Sequence, residues 1–444
     1  MSENKRKTVA LTTLGCKVNQ FETASFVSSF TKQGVKVLPF AQKADIYVIN
    51  TCAVTGKAGA QSRQVIRRAL RTNPEARIIV TGCYAQIATQ DVLELADQPI
   101  CIVGNGNKHL LVDIALSNKL CDLEVYMGNI GRKKEICDLP VHDFNARTRA
   151  FVKIQDGCDN FCTYCIVPYA RGRVRSLEPE RVLSQIAVFA KEGFRELVLT
   201  GIHVGMYGND LDSDCNLAGL IRRILEQKHT MRYRISSLEP GELSDELLQL
   251  TVENNALMPH FHLPLQSGDP TILKKMNRKY SVDQFVLVVQ KIIQAIPNAG
   301  IGLDVLVGFP GEDEEKFRHT LELIEQLPIA YLHVFPYSKR PGTVAENMSD
   351  QVAKGVKDER VAVLKELDHK KRTAFYNTQI GTTHQVLAEG KNNRFKLLRG
   401  FTENYIPVHF QGPPSLENTI VEVKIQRTMD ENVFGTLQGG LFDL

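Results

Sequence analysis

The first hundred residues alternate between short apolar runs and longer stretches of mixed polarity. The apolar runs read "TVALTTL", "ADIYVINT" and "ARIIVTG", and each is typical of a buried strand. The stretches between them, "QFETASFVSSFTKQG" and "AGAQSRQVIRRALRTNP", have helical patterns that stop at a glycine and at a proline. Right-handed helical crossovers return the chain to the same edge of a sheet, so such strands are parallel. We therefore predict an N-terminal Rossmann-like α/β domain with a parallel sheet.

The middle of the chain repeats a strand-then-helix pattern six times. The strand-like runs read "AFVKIQDG", "ELVLTGI", "MRYRISSL", "HFHLPLQ", "IGLDVLVGFP" and "IAYLHVFPYS". The helix in "SLEPERVLSQIAVFAKEG" is expected to begin at a Ser176 cap and to end at Gly193, and "EDEEKFRHTLELIEQLP" opens on acidic residues that suit a helix N-terminus. Six such units predict a partial (β/α)6 barrel with its site at the C-terminal ends of the strands.

The last part of the chain changes from a charged helical segment to short strands. These strands are expected in "HQVLAEG", "FKLLRGFTEN", "YIPVHFQG", "TIVEVKIQRT" and "VFGTLQGG", with glycine or asparagine turns between them. Five short strands in so little chain predict a small closed β-barrel of the OB type. The fold class is thus α/β, with predicted domains at residues 1–146, 147–376 and 377–444.

Composition and charge add limits to this picture. The chain has 444 residues, of which 43% are hydrophobic and 23% charged, as in ordinary soluble globular proteins. Neither a signal-peptide pattern nor 18 consecutive apolar residues occurs, so we expect a cytosolic protein that does not contact membranes. A local basic cluster, opposed by Asp156 and Asp159, either holds phosphates or is a solvated face. Its members are Arg147, Arg149, Lys153, Arg171, Arg173 and Arg175.

Three cysteines follow three of the N-terminal strands. Cys16, Cys52 and Cys83 are separated by 36 and 31 residues, the length of one strand-helix-strand unit. The C-terminal ends of parallel strands form one rim, where open α/β sheets bind ligands. A single cysteine there would most simply be a small core residue. Three of them are instead predicted to converge on one rim.

A second cysteine group has the spacing C-x3-C-x2-C. Cys158, Cys162 and Cys165 follow the first barrel strand, and neither a fourth cysteine nor a histidine lies near them in the sequence. Structural zinc uses four ligands, commonly as two C-x2-C pairs, whereas three thiolates on one loop suit a [4Fe–4S] cluster with one open iron. The other cysteines fit no ligand spacing and are interpreted as core filler or surface thiols. They are Cys101, Cys121, Cys137 and Cys215.

Here the sequence resembles a known family. The triplet with Tyr164 before its last cysteine is similar to the radical S-adenosylmethionine (SAM) superfamily, and the whole chain resembles its methylthiotransferases. The further matches are "LGC", "NTC", "TGCY", "PYARGRVRS", "HLPLQSGD", "VGFPGE" and "YSKRPGT". The resemblance implies a radical SAM barrel and a C-terminal TRAM module. It also implies that Cys16, Cys52 and Cys83 bind an auxiliary [4Fe–4S] cluster, whereas Cys158, Cys162 and Cys165 bind the radical SAM cluster.

The resemblance also implies a reaction and its cofactors. The radical SAM cluster cleaves SAM, the resulting radical takes hydrogen from adenine C2, sulfur comes from the auxiliary cluster, and a second SAM supplies the methyl group. One departure concerns the SAM contacts, because "LTGIHVG", with Thr200 and Gly201, stands where many relatives have Gly-Gly-Glu. Gln266 and Ser267 are candidate ribose contacts by position, with ordinary turn chemistry as the alternative.

The family divides by substrate, and "LGCKVNQFET" looks like the branch that modifies threonylcarbamoyladenosine in tRNA. Isopentenyladenosine in tRNA and ribosomal protein S12 are the alternatives within the family, and a non-catalytic RNA-binding protein with structural metal is the alternative outside it. The implied partners are tRNA, an electron donor such as flavodoxin or ferredoxin, and a sulfur source, for a chain expected to be monomeric. Any RNA contact of the last domain would use one local face. Its basic residues are Lys391, Arg394, Lys396 and Arg399.

Overall fold

A computed structural model describes most of the chain. It covers residues 7–95, 99–117, 124–142, 144, 148–212, 215–392 and 395–439. Cys121, Arg147 and Arg394 therefore lie outside the described residues, as does the predicted boundary between residues 146 and 147. Within the described ranges, every helix is too short or too polar to cross a membrane.

The N-terminal part of the chain forms one six-stranded parallel sheet. Its strands are β1 (Thr8–Thr13), β2 (Lys36–Leu38), β3 (Ile46–Thr51), β4 (Arg77–Gly82), β5 (Ile100–Val103) and β6 (Val125–Tyr126). Their order across the sheet is β2-β1-β3-β4-β5-β6, and all neighbours are parallel. The predicted parallel sheet is confirmed, and the strands that precede the three cysteines lie side by side.

The helices of this domain connect the strands. They are α1 (Lys17–Lys32), α2 (Gly56–Thr72), α3 (Cys83–Ile87), α4 (Thr89–Leu93) and α5 (Leu111–Leu116). Helix α1 buries Phe21 in an apolar core that continues into the central domain. The Phe21 ring lies 6.4 Å from that of Phe144, which lies 5.6 Å from those of Phe151 and Phe189. Because each fully buried Phe contributes about 1.5–3 kcal/mol, this shared core fixes the two domains against each other.

The central domain contains the six predicted barrel strands and one small additional pair. The strands are β7 (Arg149–Lys153), β8 (Gln155–Asp156), β9 (Arg175–Ser176), β10 (Glu196–Thr200), β11 (Arg232–Ile235), β12 (His260–Gln266), β13 (Gly300–Val307) and β14 (Tyr331–Pro336). Two parallel three-stranded sheets form, β11-β10-β7 and β12-β13-β14. Between them the Leu238 N–H donates to the His262 carbonyl at 3.0 Å. The partial six-stranded barrel is thus confirmed.

The helices of the central domain follow the strands. They are α6 (Val167–Arg171), α7 (Pro179–Lys191), α8 (Leu217–Glu226), α9 (Asp245–Glu253), α10 (Pro270–Lys275), α11 (Val282–Ala295), α12 (Glu314–Gln326) and α13 (Lys354–Asn377). Helix α12 begins after Asp313, whose carboxylate accepts from the Lys316 N–H at 3.0 Å, and its first turn is acidic as predicted.

The predicted Ser176 cap of helix α7 is wrong. Ser176 belongs to strand β9, and its hydroxyl donates to the Asp210 carboxylate at 2.6 Å. The helix begins at Pro179 after Glu178, because proline suits the first helical position, where no N–H partner is needed. The predicted stop at Gly193 is confirmed by its left-handed backbone, with φ at +84°.

The C-terminal part forms the predicted closed β-barrel. Its strands are β15 (Thr383–Asn392), β16 (Leu397–Phe401), β17 (Pro407–Phe410), β18 (Ile420–Met429) and β19 (Asn432–Leu437). They close in the order β15-β16-β17-β19-β18 around an apolar core that includes Tyr376 from the end of α13.

This small barrel closes the N-terminal end of the central barrel. Arg232 begins strand β11 and donates to the carbonyls of Gln385 and Phe401, both at 2.8 Å. Its Nε also donates to Glu196, the first residue of β10, at 2.6 Å. Arg149, the first residue of β7, pairs with Glu389 at 2.7 Å. With one end of the central barrel covered in this way, the opposite end, where the cysteines lie, remains for function.

Candidate functional site

The three N-terminal cysteines meet at one rim of the sheet. Cys16 lies between β1 and α1, Cys52 follows β3 directly, and Cys83 is the first residue of α3 after β4. The strands are in register, with Thr13 opposite Asn50 in β3, which lies in turn opposite Thr81 in β4. The structure therefore brings together the residues that the sequence predicted to converge.

Two glycines make this convergence possible. Gly15 has φ at +93°, and a Cβ on it would lie 2.7 Å from the Cys52 sulfur. Gly82 has φ at +94°, and a Cβ there would lie 2.3 Å from the Thr51 carbonyl oxygen. Other residues rarely adopt such a backbone and would not fit the space. The "GC" pairs of the sequence are therefore geometric requirements of the rim.

Beneath the rim lies a buried ionic network that joins both domains. Arg171, at the end of α6, is fully buried. Its Nε donates to the Cys83 sulfur at 3.3 Å, and its Nη1 donates to Glu22 of α1 at 2.6 Å and to Asp156 of β8 at 3.3 Å. Arg171 thus connects the cysteine rim to the strand that leads into the second cysteine group.

Cations outnumber anions in this network. The described residues provide two buried carboxylates, Glu22 and Asp156, against four buried cations. The cations are Lys108, Lys153, Arg171 and Arg175. Burial by itself would raise the pKa of Glu22, but Arg171, Lys108 and Lys153 hold it well below its ordinary value. An anionic group at the adjacent thiols would balance the remaining positive charge.

The basic cluster of the sequence analysis is therefore neither a phosphate site nor a solvated face for its buried members. Arg149 binds Glu389, and Lys153, Arg171 and Arg175 belong to the network just described. Arg173 alone among the described members is largely exposed, with 60% of its side chain accessible, and pairs with Asp159 at 2.9 Å.

The second cysteine group lies on the loop after β8 at the C-terminal end of the central barrel. The β8–β9 pair holds the base of this loop, and the Cys158 N–H donates to the Gly172 carbonyl at 3.1 Å. The Cys165 N–H donates to the Cys162 carbonyl at 2.9 Å. The three thiols therefore face one small space, the loop cavity, of about 150 Å³.

Four charged residues that the sequence analysis missed flank these thiols. His203 Nδ1 lies 3.3 Å from the Cys158 sulfur, and its Nε2 lies 2.6 Å from Glu242. Arg278 donates to the Cys162 sulfur at 3.3 Å and pairs with Glu239. His203 and Glu239 follow the ends of β10 and β11. Their polar character beyond a barrel strand was the signal that could have identified them.

Burial favours the protonated form of several of these thiols. Burial raises the pKa of Cys52 to about 11 and that of Cys165 to about 12. Cys16 is exposed at the rim, but the protein around its sulfur partly excludes water and raises its pKa, a shift that Arg171 opposes. Because ligands must be thiolates, binding of a metal cluster releases protons here.

The geometry favours a cluster over a single zinc ion. Thiolates that share one zinc ion at about 2.3 Å lie about 3.8 Å apart. Among the described residues, the one set of three or more donors whose ligand atoms all lie within 4.8 Å is His262, Asp304 and His333. Neither cysteine group belongs to such a set, so neither is arranged around a single ion in this structure.

A second cavity lies where the N-terminal and central domains meet. This interdomain cavity has a volume of about 260 Å³. Its walls include Thr55, three residues beyond Cys52, together with Cys165 and the barrel residues Gln266, Asp304 and Phe335. A molecule bound here would contact Cys165 and the start of helix α2, which follows Cys52 in the chain.

Of the four predicted SAM contacts, Gln266 lines one of the two cavities, whereas Thr200, Gly201 and Ser267 line neither. Gln266, with φ at +61°, lines the interdomain cavity. The Ser267 hydroxyl instead accepts from the Asp269 N–H at 3.2 Å and lies 3.3 Å from the Thr320 hydroxyl. Thr200 is buried, and its carbonyl accepts from the Ile154 N–H at 2.9 Å.

Gly201 has a supporting position. A Cβ on Gly201 would lie 2.8 Å from the Gln155 side-chain oxygen. That oxygen accepts from the His203 N–H at 2.8 Å, and the Gln155 amide donates to the Gly157 carbonyl at 2.7 Å. Gly201 thereby lets Gln155 join the loop after β10 to the cysteine loop.

The remaining predicted residues are distributed over the surface and the core. Cys101 belongs to the apolar core, while Cys137 and Cys215 are half-buried. Lys391, Lys396 and Arg399 are exposed on the β15–β16 hairpin.

The chain is similar to known protein families and to individual proteins with assigned activities. The Radical SAM superfamily matches residues 152–324, and the Uncharacterized protein family UPF0004 matches residues 8–104. The threonylcarbamoyladenosine tRNA methylthiotransferase MtaB of Aquifex aeolicus is 40% identical, over 91% of this chain and 97% of that protein. The protein of the same name from Bacillus subtilis is 40% identical, over 94% and 93%. This chain belongs to the radical SAM methylthiotransferases, of the MtaB type.

Other members of the methylthiotransferase family are also similar. A tRNA-2-methylthio-N(6)-dimethylallyladenosine synthase of Thermoanaerobacter is 35% identical, over 100% of this chain and 94% of that protein. At the level of the fold, the chain resembles the radical SAM methyltransferase TsrM from Kitasatospora setae, solved with cobalamin and a [4Fe–4S] cluster. The TM-score is 0.57 and the identity 15%, over 77% of both chains.

Membership of the radical SAM methylthiotransferases has direct consequences. The chain is an enzyme, a transferase, so the non-catalytic alternative is wrong. Radical SAM enzymes use a [4Fe–4S] cluster and SAM, and the half-buried thiols of the loop group, the loop cavity and its flanking charges fit such a cluster and its cosubstrate.

Proposed function

We propose that this enzyme converts N6-threonylcarbamoyladenosine at position 37 of tRNA to its 2-methylthio derivative. The interdomain cavity is the observation that carries the proposal, because its walls join Cys165 of the loop group to Val54 and Thr55, which lie two and three residues after Cys52. A base in it would lie next to the loop group and beside the segment that follows Cys52. The "LGCKVN" motif and the names of the relatives at 40% identity support threonylcarbamoyladenosine as the substrate.

Two [4Fe–4S] clusters would be held by the two cysteine groups. Cys158, Cys162 and Cys165 would hold the one that activates SAM, and Cys16, Cys52 and Cys83 would hold the auxiliary one. When bound, these groups supply the radical and the sulfur, and the protein contributes binding, orientation and exclusion of water. Arg278 and His203 donate toward the first thiols and would stabilise thiolate charge there.

SAM would occupy the loop cavity and extend toward the interdomain cavity. Glu239 and Arg278 line the loop cavity and provide opposite charges for the amino and carboxylate groups of SAM. Gln266 is retained as a ribose contact, since it lines the interdomain cavity. Thr200, Gly201 and Ser267 are proposed to position the loops around SAM, because their described contacts are to the protein itself.

The C-terminal barrel would bind the tRNA through Lys391, Lys396 and Arg399, which are exposed on one hairpin. Such contacts are to phosphates and depend strongly on salt. A low-potential electron donor, such as flavodoxin or ferredoxin, and a sulfur source would complete the reaction in the cytosol.

A second candidate substrate is isopentenyladenosine. The interdomain cavity is lined largely by apolar side chains such as Leu306, Phe335 and Tyr337, which suit an isopentenyl group, and a relative at 35% identity bears that activity in its name.

Mass spectrometry of tRNA nucleosides from a deletion strain distinguishes the two substrates. We expect 2-methylthio-threonylcarbamoyladenosine to disappear and 2-methylthio-isopentenyladenosine to remain. The opposite result would assign the isopentenyl substrate, and loss of neither would contradict both assignments.

A further inference from the structure

Three side chains on adjacent strands converge inside the central barrel. They are His262 of β12, Asp304 of β13 and His333 of β14, with Asp304 directly opposite His333. The residues beside them, Leu263, Leu303 and Leu332, are buried in the apolar core. Because side chains alternate along a strand, the two histidines and the aspartate point away from that core into the barrel.

Their mutual distances resemble those of ligands around a single ion. His262 Nε2 lies 3.2 Å from Asp304 Oδ1, and His333 Nδ1 lies 3.4 Å from the same oxygen. Neighbouring ligands of a tetrahedral ion bound at about 2.05 Å lie about 3.3 Å apart. Yet His262 Nε2 is buried and finds no hydrogen-bond partner with suitable geometry in the described part of the chain. The three ligand atoms therefore lie close together, within 4.8 Å of one another, without a well-aligned hydrogen bond at His262 Nε2.

The ring of His262 is also held in its orientation by a contact to its other nitrogen. The other ring nitrogen of His262, Nδ1, lies 2.6 Å from the Ser237 hydroxyl. When Nδ1 donates to that hydroxyl, Nε2 carries the free electron pair that a metal requires. A hydrogen bond on the second nitrogen is the usual support of a metal-bound histidine.

We propose that His262, Asp304 and His333 bind a divalent transition-metal ion. Two imidazoles and one carboxylate are donors that Zn²⁺, Mn²⁺ and Fe²⁺ accept. Three protein ligands leave coordination positions open, which is typical of sites that bind a further group. Since Asp304 also lines the interdomain cavity, the open positions face the place where the substrate would lie.

The group that would occupy the open positions is an oxygen ligand of the substrate. Resting on the proposed function, we assign it to the carboxylate or carbamoyl oxygen of the threonylcarbamoyl group. An isopentenyl group has no such donor. The metal site would thus select for the substrate's N6 substituent, whereas the apolar wall around Phe335 would hold the base.

Binding of Mn²⁺ to the reconstituted full-length enzyme tests the site. With both clusters oxidised and diamagnetic, the room-temperature EPR signal of free Mn²⁺ reports how much ion is bound. We expect about one Mn²⁺ per chain, displaced by Zn²⁺, and at least tenfold weaker binding in His333→Ala and Asp304→Asn. His333 has 49% of its side chain exposed, so its replacement should not disturb folding.

His369→Ala is the matched control. Its Nδ1 lies 3.2 Å from Glu431, both residues are exposed, and no third donor completes a metal group with them among the described residues. This variant should bind Mn²⁺ like the wild type. Wild-type enzyme that binds no stoichiometric Mn²⁺ or Zn²⁺, or His333→Ala and Asp304→Asn variants that bind as the wild type does, would overturn the proposal and leave only an ion-paired cluster.

A separate measurement tests the role in selection. The affinity for an anticodon stem-loop RNA should increase at least fivefold with Mn²⁺ when the RNA carries threonylcarbamoyladenosine, but not when it carries plain adenosine. The increase should be absent in His333→Ala. Stoichiometric Mn²⁺ binding without this increase would refute the substrate contact and keep the metal site. Failure of the proposed function would instead appear in the nucleosides of the deletion strain and leave the EPR result intact.

Discussion

The two cysteine groups hold their thiols by opposite means. Cys158, Cys162 and Cys165 lie on one short loop, so local spacing alone brings them together. Cys16, Cys52 and Cys83 come from three strands and meet only when β1, β3 and β4 pair in register. A local group can form before the domain is complete, whereas a distributed group depends on the whole sheet and on the fit of glycines such as Gly15.

The groups also differ in their surrounding charge. Beside the loop cysteines, Arg278 is opposed by Glu239 and His203 by Glu242. Beside the rim cysteines, the described network contains four buried cations for two carboxylates. An uncompensated buried charge costs several kcal/mol. The rim therefore requires an anionic partner more than the loop does, which distinguishes the two groups in ways that experiments can measure.

The largest expected difference between the two cysteine groups is in the step of the reaction that each one supports. Replacing Cys158, Cys162 and Cys165 by Ala should abolish 5′-deoxyadenosine formation, because nothing remains to deliver an electron to SAM. Replacing Cys16, Cys52 and Cys83 by Ala should preserve SAM cleavage and abolish sulfur insertion. Incubation with dithionite, SAM and tRNA, followed by quantification of both products, measures the two steps together.

Iron content provides the control for these variants. The wild type should hold about eight iron atoms and each triple variant about four. Normal methylthio product from the rim variant would contradict the sulfur-donor role of Cys16 and its partners.

The next largest effect is expected from Arg171. Arg171→Met removes the hydrogen bonds that Arg171 donates to Glu22 and Asp156, and a hydrogen bond to a charged group contributes about 1.5–3 kcal/mol to the unfolding free energy. Arg173→Met is the control, because Arg173 is largely exposed and its loss should change stability by less than about 0.5 kcal/mol. Urea unfolding followed by circular dichroism measures both. Equal midpoints for the two variants would show that the network is not stabilising.

A glycine substitution should damage the rim and spare the loop. Gly15→Ala places a Cβ 2.7 Å from the Cys52 sulfur, whereas Gly34→Ala, also at positive φ, meets nothing within 4 Å among the described residues. Both variants carry the backbone cost of about 1 kcal/mol. We expect iron near four per chain in Gly15→Ala and near eight in Gly34→Ala. Full iron in both would mean that the rim tolerates displacement.

Cluster loading should stabilise the rim more than the loop. Because an anionic cluster offsets the surplus cations, reconstitution should raise the unfolding temperature more in the loop triple variant than in the rim triple variant. A difference of at least about 2 °C is expected, which corresponds to about 1 kcal/mol. Calorimetry on cluster-free and reconstituted samples gives the two shifts. An equal or reversed difference would refute the charge argument.

The smallest effect is expected in RNA binding. Neither cysteine group provides phosphate contacts, so both triple variants should keep their tRNA affinity within about tenfold, or 1.4 kcal/mol, of the wild type. Filter binding at fixed salt measures this, and Lys396→Glu provides the comparison with a surface residue that should weaken binding. A loss greater than tenfold in one variant only would mean that its cysteine group also shapes the RNA surface.

Much of this protein was predictable from local patterns in its sequence. Apolar runs of strand length predicted the three architectures, and the loop spacing of Cys158 to Cys165 predicted a cluster site, an assignment of ligands that stays a prediction. The rim cysteines could be predicted as well, because each follows a strand and parallel strands end at one edge. The domain boundaries and the individual SAM contacts stay predictions, since exposed linkers and cofactor contacts leave no comparable periodic signal.

Tertiary structure alone decided the roles of the charged residues. Lys153 and Arg171 resemble a solvated or phosphate-binding patch in sequence, but both pair with Glu22, which is more than a hundred residues away in the chain. Ser176 has the sequence context of a helix cap, but in the structure its hydroxyl donates a hydrogen bond to the Asp210 carboxylate. A local sequence pattern predicts the type of secondary structure and the side of it that is buried, because both follow largely from residues that are close in the sequence. The pairing of charges depends on distance in space, which only the packed domains establish.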